Sequence, residues 1–393
     1  MVTEYAYPIL GGVSEHVHFL SRELVALGHD VTVVTGRSEK RAVVDDIDRR
    51  AFRDHGYRTV RLGRAVPIPQ NGSVARQTWV FPWQMRRALE GADIVHVQGL
   101  VGALNARQAI NRGRAPVTVG TFHTYTEGGN HWSYRWVGKR LNRTLAKLDR
   151  RIAVSQACVD ALERTFGGGF DIIPNGVDCE RFHPLASGEA APDGPQRILF
   201  VARLEPRNQL GHLLEAAAIL RRRGRDIVVQ VAGSGPTRQH DQALAERLGI
   251  ADRVEWLGLI HEDLPRRYRE ATVLAAPCTL ASFGVILIEA AASGIPIVCA
   301  DNVGFRQVIR NGMPGQFVPM NDPAALADGL DEVLGDPGLR ADWGRRGRAL
   351  TVERYAWAGV ARQVSDLYHE ELARAAGTAP APVERPSETV SGH

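Results

Sequence analysis

The sequence predicts two doubly wound α/β domains in tandem, each a parallel sheet with helices on both faces, facing one another across a cleft. Three observations carry that prediction. Short β-branched runs alternate with helix-spaced apolar stretches along most of the chain, which is the pattern of successive βαβ units. A stretch of linker composition, PLASGEAAPDGPQ, interrupts the alternation near the middle, and the alternation then restarts. A length of 393 residues is also too great for one ordinary core.

Residues 1–184 make the first expected domain. It opens on Met1 to Glu4, a strand stub shorter than the usual run of about five or six residues, so either the first strand is clipped or the true start lies upstream. Helix-spaced Val17, Leu20, Leu24 and Leu27 end at Gly28, and the β-branched run Val31 to Thr35 follows. Asp93 to Val97 and Val117 to Phe122 repeat the strand signal. Residues 185–196 are the linker. The second domain, 197–354, begins with a strand over Ile198–Val201 and a helix over Leu213–Arg222. Strands follow over Ile227–Ala232, Val254–Leu257 and Val273–Ala276, then an apolar helix bearing Glu289 and a strand over Ile295–Cys299. A C-terminal helix, 355–374, could cross back to the first domain, and 375–393 has the composition of a disordered tail.

Composition narrows the function classes. The chain is 44% hydrophobic and 23% charged, as a soluble globular protein is. It has no apolar run of the roughly 20 residues that span a bilayer, and its start lacks a basic flank or cleavage signal. The expected address is cytoplasmic, with a peripheral position on the inner membrane face left open. Cys158, Cys179, Cys278 and Cys299 have no metal-ligand spacing and read as free thiols. The net charge of +4 is almost all arginine, since Lys40, Lys139 and Lys147 are the only lysines. No basic stripe with stacking aromatics suggests nucleic acid. Trp132 to Arg151 combines aromatics with Lys and Arg, and reads either as the solvated face of a core helix or as a patch for anionic lipid.

Four motifs, and a weaker fifth, carry chemistry. In Ala281 to Asp301 the helix holds one carboxylate, Glu289, and an uncompensated buried charge costs several kcal/mol. Gly11 and Gly12 precede a helix, where backbone N–H groups can approach an anion, although a tight turn would use the same residues. His123 closes a strand at its carboxyl end, where open α/β sheets hold ligands. Arg203 also follows a strand and suits a phosphate, unless it is merely a solvated surface side chain. Gly233 begins a weak G-x-G that would shape a loop against a base or ribose.

Taken in order, the Gly11-Gly12 turn, GTFHT, IIPNGVDCERF, the Arg203 strand, SFGVILIEAAASGIPIV and NVGFRQVIRNG resemble the retaining GT-B glycosyltransferases of family four, most of all the bacterial phosphatidylinositol mannosyltransferases. The resemblance implies a GT-B fold of two Rossmann-like domains, the second holding a GDP- or UDP-sugar and the first a hydroxyl acceptor, either a lipid or a small molecule. It implies no cofactor and no metal. Glu289 would bind the ribose, the amides of Phe283, Gly284 and Val285 would cradle the diphosphate, and Arg203 would neutralise it. His123 would contact the transferred sugar, and Gly12, after Gly11 in the turn, would leave room beside the phosphate. Two positions depart from the family pattern: Ala281 stands eight residues before Glu289 where a second glutamate is usual, and Asn208 stands five after Arg203 where a lysine is usual. Arg207 or Arg306 could restore the charge, and Ser282 or Thr279 could offer a hydroxyl. A sugar-nucleotide binder without turnover, or a nucleotide-sugar epimerase of the same fold, are the rival expectations.

Overall fold

The computed structural model describes all residues except 10, 38–40, 71–72, 100–102, 124–141, 187, 190–192 and 379–393, and omits the side chains of 41–43, 65–70, 73–76 and 164–165. The first series runs α1 (Gly12–Ala26), β1 (Thr32–Gly36), α2 (Arg41–His55), β2 (Arg58–Leu62), β3 (Arg64–Gln70), β4 (Ser73–Trp79), α3 (Pro82–Ala88), β5 (Ile94–Gln98), α4 (Leu104–Arg112), β6 (Val117–Phe122), β7 (Arg150–Ala153), α5 (Gln156–Phe166) and β8 (Asp171–Ile172). The second runs β9 (Gln196–Val201), α6 (Leu210–Arg222), β10 (Ile227–Ala232), α7 (Arg238–Arg247), β11 (Val254–Gly258), α8 (Leu264–Glu270), β12 (Val273–Ala276), α9 (Val285–Ala292), β13 (Ile297–Ala300), α10 (Val303–Ile309), β14 (Gln316–Val318), α11 (Pro323–Gly335), α12 (Pro337–Tyr355) and α13 (Trp357–Ala375).

Strand order explains where ligands can sit. The second sheet is wholly parallel in the order β11-β10-β9-β12-β13-β14. The order reverses between β9 and β12, and the loops leaving those strands diverge to opposite faces, which opens a crevice at their carboxyl ends. In the first sheet β2 pairs with β1, and β5, β6, β7 and β8 pair in sequence, all parallel. The strand stub joins these two groups, because Val2 bridges both Val34 and Val97. The first sheet therefore reverses order at the stub, whose carboxyl end leads to Gly11 and Gly12. β3 and β4 form a separate antiparallel hairpin.

Burial follows the residue pattern. All six residues of β10, IVVQVA, are buried, as a central parallel strand covered on both faces requires. In α1, Val17, Leu20 and Leu24 form the stripe that faces the sheet. The strand expected over Ile295–Cys299 lies instead at Ile297–Ala300: Gly294 (φ 74°) ends α9, and Pro296 has no N–H to give the ladder. The α6 helix starts three residues earlier than the apolar spacing indicated, at Leu210.

The chain crosses between the two sheets twice, and the crossings touch. Val177 donates its N–H to the Tyr355 carbonyl (2.7 Å) and forms an isolated parallel bridge with Ala356. Gly176 lies so close to Trp357 that a Cβ there would stand 2.4 Å from the indole ring. Beyond this point α13 returns to the first sheet, burying Trp357, Val360, Ala361, Val364 and Tyr368 in the cluster that holds Val17, Phe19 and Leu20 of α1. Arg348 ties the crossing to the second sheet by donating to the carbonyls of Phe182 (2.7 Å), Ala292 (2.9 Å) and Cys179 (3.0 Å). Most of the basic aromatic stretch 132–151, and the tail from 379, fall outside the described residues.

Candidate active site

At the switch point of the second sheet lies a cavity of about 290 Å³, lined by the ends of β9 and β12 and by the loop into α9. Arg207, Asn208, Ser282, Gly284 and Val285 share its wall with Ala281. Two close approaches build the loop. Gly284, at φ 119°, turns the chain into α9, and a Cβ there would press on Phe305 at 2.8 Å. Gly304 packs so tightly that a Cβ would stand 2.2 Å from the Ala281 carbonyl. The first amides of α9 have no acceptor within the helix, so they are available to an anion at this mouth. Phe283 contributes only backbone here, because its ring is buried against Tyr355.

Cationic groups stand at the same edge. Arg203 (3.1 Å) and Arg207 (3.2 Å) both pair with Glu205, a largely buried carboxylate that the sequence reading did not single out. Both side chains remain more than half exposed, at 59% and 55%. Arg306, a candidate for the missing charge, is instead held by Asp301 through two bonds of 2.6 and 2.9 Å. Asn208 is buried and donates to the Arg203 carbonyl (2.6 Å), so its amide fixes the Arg203 loop. The Thr279 hydroxyl is likewise turned inward, onto the Arg207 carbonyl at 3.2 Å.

Glu289 already has a protein partner. The Tyr268 hydroxyl, on α8, donates to its Oε2 at 2.8 Å. Burial still raises the Glu289 carboxyl to about 7; the tyrosine bond and Arg181 oppose that rise, while Glu15 adds to it. Glu15 and Arg181 belong to α1 and the first crossing. They form a polar cluster with Tyr7 and His261: Arg181 donates to the His261 carbonyl (2.5 Å) and lies 3.9 Å from Glu15. Glu289 thus stands beside groups from the first half of the chain, but not in the wall of the 290 Å³ cavity. Nothing in the spacing around Tyr268 or Arg181 signalled these roles.

Gly11 and Gly12 differ from the other glycines of the site. Among the described residues a Cβ at either would meet nothing within 4 Å, and neither has the left-handed φ that demands glycine. Packing of the described residues does not require them, so the turn is open to a ligand. Gly233 shows the reverse: at φ 150°, its Cβ would fall 1.9 Å from the Ala202 carbonyl, so the glycine is imposed by the neighbouring strand end.

His123 stands at the end of β6 with its Nε2 2.7 Å from Gln98 Oε1. Its ring meets that of His16 edge-on at 4.5 Å. Burial holds His123 and His96 well below the ordinary histidine range and brings His16 to about 4, so all three are neutral at pH 7. Gln98 ends β5 just as His123 ends β6, and the strand-end rule could have found it. Ser155, the N-cap of α5, donates to the Ser282 carbonyl (2.5 Å) and links the two halves at the cavity loop. A larger cavity, about 460 Å³, opens at the opposite, amino ends of β1 and β5 and contains none of the expected site residues.

Two family models match this chain: Glycosyltransferase Family 4 over residues 10–181 and Glycosyl transferases group 1 over 185–350. The phosphatidyl-myo-inositol mannosyltransferase of Mycobacterium tuberculosis (strain H37Rv) is 32% identical over 381 residues, 94% of this chain and 95% of that relative. The chain belongs to glycosyltransferase family 4. This family 4 glycosyltransferase is also similar, at 28% identity over 93% of its length and 92% of the relative, to a glycogen synthase of the same organism. Among solved structures, sucrose-phosphate synthase of Thermosynechococcus elongatus shares the fold at TM-score 0.74 and 22% identity, over 95% of this chain and 99% of that one. Anabaena HepE in complex with UDP-glucose does so at 0.75 and 16%, over 94% and 98%. The fold is thus α/β of GT-B type, and the protein is an enzyme that transfers glycosyl groups.

Proposed function

We propose that this glycosyltransferase moves a hexose from a GDP- or UDP-sugar to a hydroxyl acceptor with retention of configuration. One observation carries the reading: the α9 amides, Arg207 and Asn208 converge on a single cavity at the topological switch point, with Arg203 beside it. A diphosphate there meets helix N–H groups and two guanidiniums that Glu205 holds in place. Glu289 accepts the ribose hydroxyls, and His123 and the open Gly11-Gly12 turn face the sugar. The incoming hydroxyl oxygen bonds to C1 as the C1–O bond to the β-phosphate breaks. The proton passes on the same face to the departing phosphate oxygen, so the protein positions the reactants and stabilises charge without supplying a nucleophile.

Two relatives support a choice of donor and acceptor by their names: the mannosyltransferase above, and a GDP-mannose-dependent α-(1-6)-phosphatidylinositol monomannoside mannosyltransferase of Mycolicibacterium smegmatis, 27% identical over 93% of this chain. No helix among the described residues is long and apolar enough to cross a membrane. Peripheral contact with an anionic surface at the inner membrane face is supported by the exposed Trp79, Phe81 and Trp83, which precede exposed Arg86 and Arg87 on α3. Sedimentation with anionic vesicles at low salt and release at high salt tests this contact, and absence from the pellet at low salt removes it.

The enzyme itself is tested by product formation across GDP- and UDP-sugars with phosphatidylinositol and small polyols. The stereochemistry of the new bond is read by NMR. Binding without product would favour the inactive-binder reading, and conversion of the nucleotide sugar without acceptor would favour the epimerase. Restoring the usual pair with Ala281→Glu and Asn208→Lys discriminates further. In a site adapted to its own donor, the double change alters donor preference or lowers turnover; in a decayed site it raises turnover, by up to about 10²- to 10⁴-fold if both contacts return. Arg207 on the cavity wall favours adaptation.

A further inference from the structure

We infer that Gln98 is a positioning residue that fixes His123 as its Nε2–H tautomer, so that the nitrogen offered to the sugar is an acceptor, Nδ1. The inference rests on the donor-site reading above. Its basis is a chain of side chains from the cleft to the C-terminal helix: His123 Nε2 to Gln98 Oε1 at 2.7 Å, Gln98 Nε2 to His96 Nε2 at 3.3 Å, and His96 Nδ1 to the Tyr368 hydroxyl at 2.6 Å. Thr121 adds its hydroxyl to His96 Nε2 at 2.7 Å.

The chain has two self-consistent states, related by a flip of the Gln98 amide, and the distances select one. At 2.7 Å the His123 contact has the length of an N–H···O bond; an amide nitrogen so close to a ring nitrogen would be unusually short. The 3.3 Å contact with His96 suits the amide N–H. Gln98 Oε1 is therefore the acceptor, and His123 Nε2 carries the proton. The Thr121 hydroxyl and, more weakly, the amide then share the lone pair of His96 Nε2, and His96 donates from Nδ1 to Tyr368. Buried Gln98, His96 and Thr121 leave no room for an added proton, and both imidazoles stay neutral. With Nε2 committed to Gln98, the only ring nitrogen a sugar can use is Nδ1. An unprotonated Nδ1 accepts a hydrogen bond from a hydroxyl but gains nothing from fluorine, which cannot donate. The device therefore selects for a sugar hydroxyl at the contacted carbon.

The test reads tautomer and specificity separately. Nitrogen-15 NMR of histidine-labelled protein, with His123 assigned by loss of its signals in His123→Asn, reports which ring nitrogen bears the proton. The expected result is protonated Nε2 and bare Nδ1 in the wild type, with a tautomeric mixture in Gln98→Leu. Protonated Nδ1 in the wild type, or no change in Gln98→Leu, overturns the inference. In binding assays with monofluoro analogues of the donor sugar, one analogue should bind about tenfold or more weaker than the parent. Gln98→Glu, whose carboxylate favours the imidazolium and so gives Nδ1 a proton, should narrow that gap to within about threefold. A gap that stays equally wide in a folded Gln98→Glu protein overturns the positioning role. If the tautomer is as expected but no fluoro analogue differs from its parent, the placement of His123 at the sugar fails instead, and with it that part of the proposed function.

Discussion

Glu289 and Arg203 place different demands on the fold. The Glu289 carboxyl is raised from 4.5 to about 7, chiefly by burial. Because the folded state holds this proton longer than the unfolded one, stability falls as pH rises from about 4.5 to 7, by of order 3 kcal/mol. Glu289→Gln removes that dependence. We expect the variant to melt at or above the wild-type temperature at pH 8, yet to bind a nucleoside diphosphate at least about tenfold more weakly. Calorimetric titration and thermal unfolding at pH 6 and 8 check both, and equal affinities in a folded variant would take Glu289 out of the site. Exposed Arg203 gives little to stability through its Glu205 pair. Arg203→Ala should lose about 1.5–3 kcal/mol of diphosphate affinity, roughly ten- to 150-fold. Its affinity for the bare nucleoside should hold; a matching loss for the nucleoside would mark a structural arginine.

At the scale of elements, the glycines divide into those that the protein needs and those that only a ligand would need. Gly12→Ala meets nothing within 4 Å among the described residues, so unfolding should shift by no more than about 0.5 kcal/mol while sugar-nucleotide affinity drops about tenfold or more. Gly304→Ala forces a Cβ against the Ala281 carbonyl and should cost about 1–3 kcal/mol, measured by denaturant unfolding. If Gly12→Ala proved the more damaging to stability, the contrast would collapse. The sequence made the elements legible because β-branched runs such as IVVQVA have only one way to be buried. It also placed Ser282, Gly284 and Val285 at a helix start, since small residues before an apolar run mark one. Arg203 came through the strand-end reading, and Asn208 and Arg207 through the resemblance to the family pattern that follows it. Tyr268 and Glu205 were not legible. A hydroxyl that reaches Glu289 from a helix 21 residues away has no signature in spacing, and a glutamate between two arginines looks like surface charge until its burial is seen.

For the molecule as a whole, tandem α/β domains were legible in the alternation of elements and in the break between them. The path of the C-terminal helix was only an option there, because the choice depends on contacts far apart in sequence. In the structure, α13 brings Tyr368 to His96, so a residue near the chain end sets the bonding of a strand that leads to the cleft. The two crossings, laced together at Val177 and Ala356 with Gly176 against Trp357, also decide how the halves can move. Two straps fastened together act as a pivot: they resist sliding and separation but permit a rotation that breaks the Ser155–Ser282 bond at the cavity loop. Opening should therefore swing the far rim of the cleft widely while residues near the pivot hardly travel. Arg181 follows Val177 of that pivot by four residues, and its charge reaches Glu289, so a ribose held there would be gripped throughout the swing, and the sugar and acceptor ends would feel it most.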